Sequence, residues 1–425
     1  MKRRKKIITG LDIGTTKICA LIAEIGGEGN IEIIGIGLSP SNGLRKGIVV
    51  DIDKTSHAIK SAVQKAERMA GIKVDSAYVG IAGSHIQSIN SHGIVAVTGD
   101  EKEIKKSDIE RVLDAAKIIP LSAEEEILHV LAREFIVDGC PGIKDPLGMS
   151  GVRLEVETHI VKGASTSIQN LVKSVLRAGL SVDDVVLEPL ASSESVLSDD
   201  EKELGVVLVD IGGGTTDLIV FHEGSITHTS VLPVGGNHVS NDIAVGLRTP
   251  VSEAEKIKIL YGSAIAEKID EEDFIDVLSA SGRERKKIPR RILGEVIEPR
   301  MKEIFSMVKK ELKTVGPADL TPAGMVITGG ASLLEYSGDL AAQVTELPVR
   351  VGEPDYVSGL SNIIDNPVYI KKGDTVPKAI FSTSVGLVQF GIKDDDRGES
   401  KKSSNSKTIV NNFFGKLKNW FNEFF

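Results

Sequence analysis

The sequence predicts an α/β protein of two similar lobes that face one ligand, with a small inserted α+β domain and a C-terminal amphipathic helix. Three features predict it. A strand–Asp–Gly–turn pattern occurs twice, in residues 7–16 (IITGLDIGTT) and 206–217 (VVLVDIGGGTTD), with Asp12 and Asp210 198 positions apart. Residues 325–332 (MVITGGAS) run a third apolar strand into a Gly-Gly turn. The character of the chain also changes twice, over residues 84–162 and again after residue 393.

Residues 7–25 read as strand–loop–strand and 31–38 as a further strand. Residues 54–70 carry Ile59, Val63, Ala66 and Met69 at helical spacing, and Gly71 ends the run. Residues 77–82 read as a buried strand. In 84–162, alternating strands (95–97 and 154–161) bracket a charged helix opened by Ser107 with Glu110 three residues later, a capping box. Residues 165–178 place Ile168, Leu171, Val172, Val175 and Leu176 on one helical face, stopped by Gly179. Residues 240–312 read as mostly helical and charged.

The chain therefore divides into 1–83 and, after the insert at 84–162, 163–198 and 380–393 as the first lobe. The second lobe takes 199–239 and 313–379, with 240–312 as its helical subdomain. A flexible linker (394–407) and an amphipathic helix (408–425) follow.

The repeated turns explain their own residue types. A tight turn after a buried strand aims consecutive backbone N–H groups at one point and forms an anion nest. Glycine is required where a phosphate oxygen approaches the backbone. Gly14, Thr15, Thr16 and Lys17 form one such loop, Gly212, Gly213, Gly214, Thr215 and Thr216 the second, and Gly329, Gly330, Ala331 and Ser332 the third. The predicted ligand is a nucleoside triphosphate. Asp12 and Asp210 cannot face phosphate directly, so they are expected to hold Mg²⁺ through its water shell. Asp217 is placed to close the loop or orient an attacking water. Either loop alone equally fits an ordinary turn with an Asx-type bond; it is the pair with the Gly-Gly turn that is specific. There is no GxxxxGK[ST] motif, which excludes a P-loop NTPase.

Composition narrows the class. A net charge of −9 argues against broad nucleic-acid binding. Cys19 and Cys140 lack metal spacing and read as free thiols of a reducing compartment. MKRRKK at the N-terminus is not followed by an apolar h-region. No apolar run reaches the ~20 residues needed to span a bilayer. The body is expected to be cytoplasmic.

These motifs resemble the actin–Hsp70–sugar kinase superfamily. DIGTT looks like its first phosphate loop, DIGGGTTD its second and ITGGAS its adenosine loop. Glu188, in EPLASS, resembles the opening of the helix that joins the lobes, where the superfamily carries a water-positioning Glu or Gln. Glu188 in isolation is simply a residue held extended by the following proline. The resemblance implies the two-lobed actin-like ATPase fold of duplicated ribonuclease H-like lobes, with ATP and Mg²⁺ between them.

The insert (VDGCPGIKDPLGMSGVRLEVETHIV), LRTPVSEAEKIKILYGSA (247–264), RRILGEVIEPRMKEIF (290–305) and VITGGASLLE (326–335) are similar to the FtsA family of bacterial cell-division proteins. That resemblance implies assembly with itself on the cytoplasmic face of the cell membrane at the division site. It implies the C-terminal peptide of the tubulin-like ring protein FtsZ as a partner, docked on 240–312 with Arg300 and Glu303 as contacts, and recruitment of later division proteins. If ATP is hydrolysed, turnover is expected to be slow, because nothing in the sequence resembles an arginine finger or a strong base.

The tail argues independently. At 100° per residue, Ile409, Val410, Phe413, Phe414, Leu417, Trp420, Phe421, Phe424 and Phe425 fall within an arc of about 160°. Lysines 401, 402, 407, 416 and 418 oppose one Glu423 after position 400. Such a helix on a polar tether reads as an interfacial anchor for anionic lipid. Burial of its apolar face contributes on the order of 10 kcal/mol as an upper bound. Docking on the protein's own core or on a partner groove is the competing reading. For function, a sugar-kinase-type phosphotransferase and a chaperone or pilus-assembly ATPase of the same fold are the alternatives. The first would need a base aimed at a substrate hydroxyl, a role open to Asp217.

Overall fold

KIITGLDI is apolar on both faces, and a strand of that kind is stable only when covered on both sides. In the computed structural model, which describes residues 6–26, 30–99, 101–315, 321–355, 357–360 and 377–399, it lies inside a six-stranded sheet. Strands β1 (Lys6–Ile13), β2 (Lys17–Ile25) and β3 (Ile31–Pro40) form an antiparallel meander. A short ribbon, β4 (Leu44–Arg45) and β5 (Ile48–Val49), leads to helix α1 (Ile52–Ala70). Asp51 caps α1 by accepting from the Lys54 N–H at 3.0 Å, and Gly71 at φ 69° ends it. The helix lies close on β3 because Gly37 has no side chain: a Cβ there would stand 1.8 Å from the Ala62 carbonyl. Strand β6 (Ser76–Ile81) then pairs parallel with β1.

The inserted domain follows as β7 (Gln87–Ala96), α2 (Lys106–Ala116), β8 (Glu125–Val137), β9 (Cys140–Ile143) and β10 (Arg153–Ala164). Its antiparallel sheet runs β7-β10-β8-β9. Period-two alternation along β10 sends Leu154 and Val156 into a small core shared with Val112 and Phe135, while Glu155 and Glu157 face out. The expected Ser107–Glu110 box is not used. Helix α2 opens at Lys106, and Asp108 Oδ2 instead accepts from the Lys105 N–H at 2.9 Å. A two-residue shift in the helix start, from Ser107 to Lys105 as the capping position, is enough to change which carboxylate meets the free amide.

Helix α3 (Ser165–Ala178) and strand β11 (Ser181–Leu187), parallel to β6, return to the first sheet. Helix α4 (Glu188–Val196) leads to the second lobe: α5 (Asp199–Leu204), β12 (Val206–Ile211), β13 (Thr216–His222) and β14 (Ser225–Leu232). Next come α6 (Gly236–Gly246), α7 (Val251–Tyr261), β15 (Phe274–Leu278), β16 (Arg285–Pro289) and α8 (Arg290–Val315). Strand β17 (Met325–Thr328), helix α9 (Ser337–Thr345) and β18 (Val349–Val351) complete it. Its sheet order, β14-β13-β12-β17-β18, repeats β3-β2-β1-β6-β11 of the first lobe, two antiparallel pairings followed by two parallel ones. The duplication anticipated from two Asp-Gly turns is thus a duplication of whole sheets.

Strand β12 reads VVLVDI because both its faces are covered. Val206 and Leu208 join the core of the first lobe, Val207 and Val209 that of the second. Helix α4 and the last helix, α10 (Ser382–Glu399), pack on each other between the two sheets. A Cβ on Gly386 would stand 1.8 Å from the Ala191 carbonyl, so the two helices touch backbone to backbone.

Three features differ from the sequence expectation. The 240–312 region contains an antiparallel hairpin, β15–β16, beside its helices. Strand β19 (Val357–Ser358) pairs with β3, so the first sheet reaches residues expected in the second lobe. Helix α10 continues through 394–399, where a linker was expected. Its charged end prolongs a helix already anchored by Val385, Leu387 and Val388, and local polarity alone does not break such a helix. The inserted domain is rooted in the first lobe yet also rests on β14 of the second. Ser88 Oγ donates to the Thr229 carbonyl at 2.9 Å, and Lys144 Nζ to Ser225 Oγ at 2.7 Å.

Candidate functional site

Asp12 and Asp210 are each the last residue but one of equivalent strands, β1 and β12. The glycine turns that follow meet across the interlobe cleft. Thr16 Oγ1 donates to Asn237 Oδ1 at 3.2 Å. A Cβ on Gly213 would lie 1.8 Å from Thr16 Oγ1, and one on Gly214 would lie 2.9 Å from Thr15 Cβ. The third turn closes one side: Gly329 adopts φ 85°, and a Cβ there would stand 2.3 Å from Asp210 Oδ1. Only glycine meets both conditions. The turns enclose a cleft of roughly 310 Å³.

Five carboxylates line it: Asp12, Glu188, Asp210 and Asp217 around the glycine turns, and Glu255 on the far wall. Asp210 and Asp217 stand opposite each other across the β12–β13 pair. Lys17 Nζ lies 3.2 Å from Asp12 Oδ2. Burial pushes the Glu188 carboxyl well above the ordinary range, and the charges of Asp12, Asp217 and Asp210 push it further. Burial and then Asp210 do the same to Asp217. Asp210 is raised mainly by burial, against the hydroxyl of Ser192, which favours its anion. Asp217 Oδ2 accepts from Thr215 Oγ1 at 3.0 Å, whereas its buried Oδ1 has no hydrogen-bond partner. Such a cluster is costly without added positive charge and extra donors. That is the environment a hydrated dication beside a polyanion supplies. Among the described residues no group of three or more His, Cys, Asp or Glu could hold a metal ion. Aspartates acting through water fit this better than a closed protein cage.

Most of the expected ligand contacts line the cleft: Asp12, Gly14, Thr15, Thr16, Lys17, Gly212, Gly213, Gly214, Thr215, Gly329, Gly330 and Ala331. Two do not. Thr216 is buried and its hydroxyl donates to the Val234 carbonyl at 2.8 Å. Ser332 donates to the Gly329 carbonyl at 2.8 Å, so it shapes the third turn from behind. Both hydroxyls satisfy buried backbone carbonyls, a demand invisible in the motif.

Sequence reasoning missed the far wall. Buried Lys258 on α7 donates to the Gly236 carbonyl (3.0 Å), Ser240 Oγ (2.9 Å) and Glu255 Oε2 (2.7 Å). With Ile259 and Leu334 this pair borders the slot beside Gly330. Ile259, Leu333 and Leu334 are apolar and Glu255 and Lys258 polar, a lining that suits a planar base and its sugar. Val234-Gly235-Gly236-Asn237 was a usable signal, a further strand that runs into a Gly-Gly turn. Nothing in the motif marked Glu255 or Lys258.

Arg300 and Glu303 lie on α8, away from the cleft. Arg300 grips Asp242 of α6 through Nε (2.7 Å) and Nη2 (3.1 Å) and also pairs with Glu303. Asp242 first, then Glu303, hold the guanidinium pKa above its ordinary value. Phe413, Phe414, Leu417, Trp420, Phe421 and Phe424 lie outside the described residues. Among the described residues no helix is long and apolar enough to cross a membrane.

Comparison with known proteins agrees with this architecture. The family model for cell division protein FtsA matches residues 207–372, and that for the SHS2 domain inserted in FtsA matches residues 83–162. The chain is 48% identical over 401 residues to the cell division protein FtsA of Pseudomonas aeruginosa, covering 94% of this chain and 93% of that protein. Among solved structures it is similar to the PilM-PilN type IV pilus biogenesis complex, with TM-score 0.65 and 15% identity over 91% of this chain and 98% of that one. It is also similar to MreB5 of Spiroplasma citri bound to ADP, with TM-score 0.55 and 14% identity over 93% and 98% of the two chains. At those identities the structural likeness speaks for the actin-like fold alone.

Proposed function

The chain belongs to the FtsA family of cell division proteins, and from that premise we propose that it is an ATP-binding adaptor that assembles on the cytoplasmic face of the cell membrane, ties the FtsZ ring to it and recruits later division proteins. The observation that carries the nucleotide part is the meeting of two glycine turns, from equivalent ends of duplicated sheets, over one carboxylate cluster. The tail supports the membrane part, through its apolar arc and its lysines.

In this reading the amides of Gly14 and of Gly212, Gly213 and Gly214 receive the phosphates. Asp12 and Asp210 hold the water shell of Mg²⁺. The metal supplies the positive charge that lets the neighbouring carboxylates ionise together. Gly329 and Gly330 let the nucleoside lie on the backbone, with Glu255 and Lys258 at its edge. Because the phosphates touch both turns, nucleotide favours the closed arrangement of the lobes. Glu188 and Asp217 are the groups available to orient a water or take its proton. Among the described residues no arginine lines the cleft, which fits slow turnover. On α8, Arg300 and Glu303 meet the FtsZ C-terminal peptide.

The test is calorimetric titration of the full chain with ATP and Mg²⁺, beside ATP-dependent sedimentation, for wild type and Asp210→Ala. Wild type is expected to bind and to sediment, and the variant to lose ATP-dependent assembly. Intact assembly in Asp210→Ala with wild-type affinity would sink the metal-positioning role.

A further inference from the structure

Asp210 is held by two hydroxyls that lie outside its own sheet. Ser192 on α4 donates to Asp210 Oδ2 at 2.7 Å, and Thr383 on α10 donates to the same oxygen at 3.2 Å. The two hydroxyl oxygens are 3.1 Å apart. The three oxygens thus form a triangle that contains two hydroxyl hydrogens, so one edge must lack a hydrogen. A buried carboxylate is the strongest acceptor of the three, and charge-assisted bonds to it outcompete a hydroxyl–hydroxyl bond. Both hydrogens therefore go to Oδ2. Ser192 is 0% exposed and Thr383 9%, so bulk water does not replace them. With Oδ2 occupied, the carboxylate plane is set. Oδ1 is the oxygen on the Gly329 side of the cleft, where a Cβ would stand 2.3 Å from it.

We propose that Ser192 and Thr383 are positioning residues that orient the Asp210 carboxylate toward the hydrated Mg²⁺ of a bound nucleotide. The inference rests on the nucleotide reading above and deepens it. Ser192 does not line the cleft, whereas Thr383 borders it, so the affinity in EDTA separates the action of Thr383 on Asp210 from any contact with nucleotide. Their removal acts on the share of nucleotide affinity that the metal contributes, not on the share that the glycine turns contribute.

The experiment compares ATP affinity of the full chain in Mg²⁺ and in EDTA for wild type, Ser192→Ala, Thr383→Val, the double variant and Thr383→Ser. The ratio of the two affinities is the metal gain. In the double variant, which removes both hydrogen bonds, the metal gain is expected to fall at least about tenfold, since a single hydrogen bond to a charged group is of that size. Its affinity in EDTA is expected to stay within twofold of wild type. Thr383→Ser, which keeps the hydroxyl and loses only a methyl, is expected to retain the gain. Melting without nucleotide monitors the fold. If the double variant does not fold, the isosteric Thr383→Val against Thr383→Ser carries the test. An unchanged or larger metal gain in the hydroxyl-free variants overturns the proposal, as does a parallel fall in EDTA. Absence of ATP binding by wild type overturns the nucleotide reading itself, and this inference with it.

Discussion

Gly214→Ala places a methyl group between the two glycine turns, and the geometry sets how much they must part. The new Cβ would stand 2.9 Å from Thr15 Cβ, 3.0 Å from Thr15 Cγ2 and 2.6 Å from Thr15 Oγ1. Rotation about χ1 moves Oγ1 and Cγ2 but leaves Cβ where it is. Ordinary contact begins near 3.4 Å, so the turns must separate by at least 0.5 Å (3.4 − 2.9). Overpacking of this kind costs about 1–3 kcal/mol. Without nucleotide the lobes relieve it by parting, so melting should change little. With nucleotide, whose phosphates need both turns, the cost falls on binding: roughly a tenfold to hundredfold loss of ATP affinity. Calorimetry gives the affinity, and the upward melting shift on adding ATP and Mg²⁺ gives an independent reading through ligand linkage. Gly330→Ala is the control, because a Cβ there meets no heavy atom within 4 Å. The protein alone should tolerate it, so any loss of ATP affinity reports contact with the ligand. An ATP affinity within twofold of wild type in a folded Gly214→Ala chain would refute closure of the two turns on one ligand.

Other outcomes follow from the same geometry. Glu188 has its folded-state pKa raised above the ordinary 4.5, so its favourable contribution is full at acid pH and is lost as pH rises through the raised value. Without nucleotide, the melting temperature of Glu188→Gln should therefore gain on wild type between pH 5 and pH 8, and a constant difference contradicts the crowded-carboxylate account. Asp242→Ala frees Arg300 from its two-pronged ion pair and is expected to strengthen binding of the FtsZ tail peptide a few-fold by fluorescence anisotropy; weaker binding argues that Arg300 serves α6–α8 packing instead. Asp108 is fully buried and accepts from Lys105, Thr98 and Arg111. Asp108→Ala should cost the inserted domain about 3 kcal/mol, read by hydrogen exchange in α2, and a loss below about 1 kcal/mol contradicts that role.

What the sequence showed and what it hid have physical reasons. Asp12 and Asp210 were recognisable because the turn chemistry is local: a buried strand, a carboxylate and glycines within a few residues. Helices α1 and α3 were recognisable from their apolar spacing and from Gly71 and Gly179, which take the left-handed turn that ends each one. The double burial of β12 was written in its unbroken apolar run. The partners of Asp210 were not legible, since Ser192 and Thr383 are 191 positions apart and meet only because α4 and α10 cross between the sheets. Lys258 was hidden likewise, its charge answered by Glu255 and by a carbonyl 22 positions away. The β15–β16 hairpin escaped because Arg285, Lys286 and Lys287 are exposed and give no alternation. The engagement of Arg300 depends on Asp242, 58 positions distant, which no spacing on α8 reports.

The central claim is nucleotide-dependent assembly on a membrane through the C-terminal helix. Its most direct test is negative-stain electron microscopy of the full chain on an anionic lipid monolayer with ATP and Mg²⁺, beside a Trp420→Glu/Phe421→Glu variant. Lipid-bound filaments or rings are expected with the wild-type chain, none with the variant, and none when ATP is omitted. A bare monolayer with the wild-type chain, or equal decoration by the variant, would contradict the account.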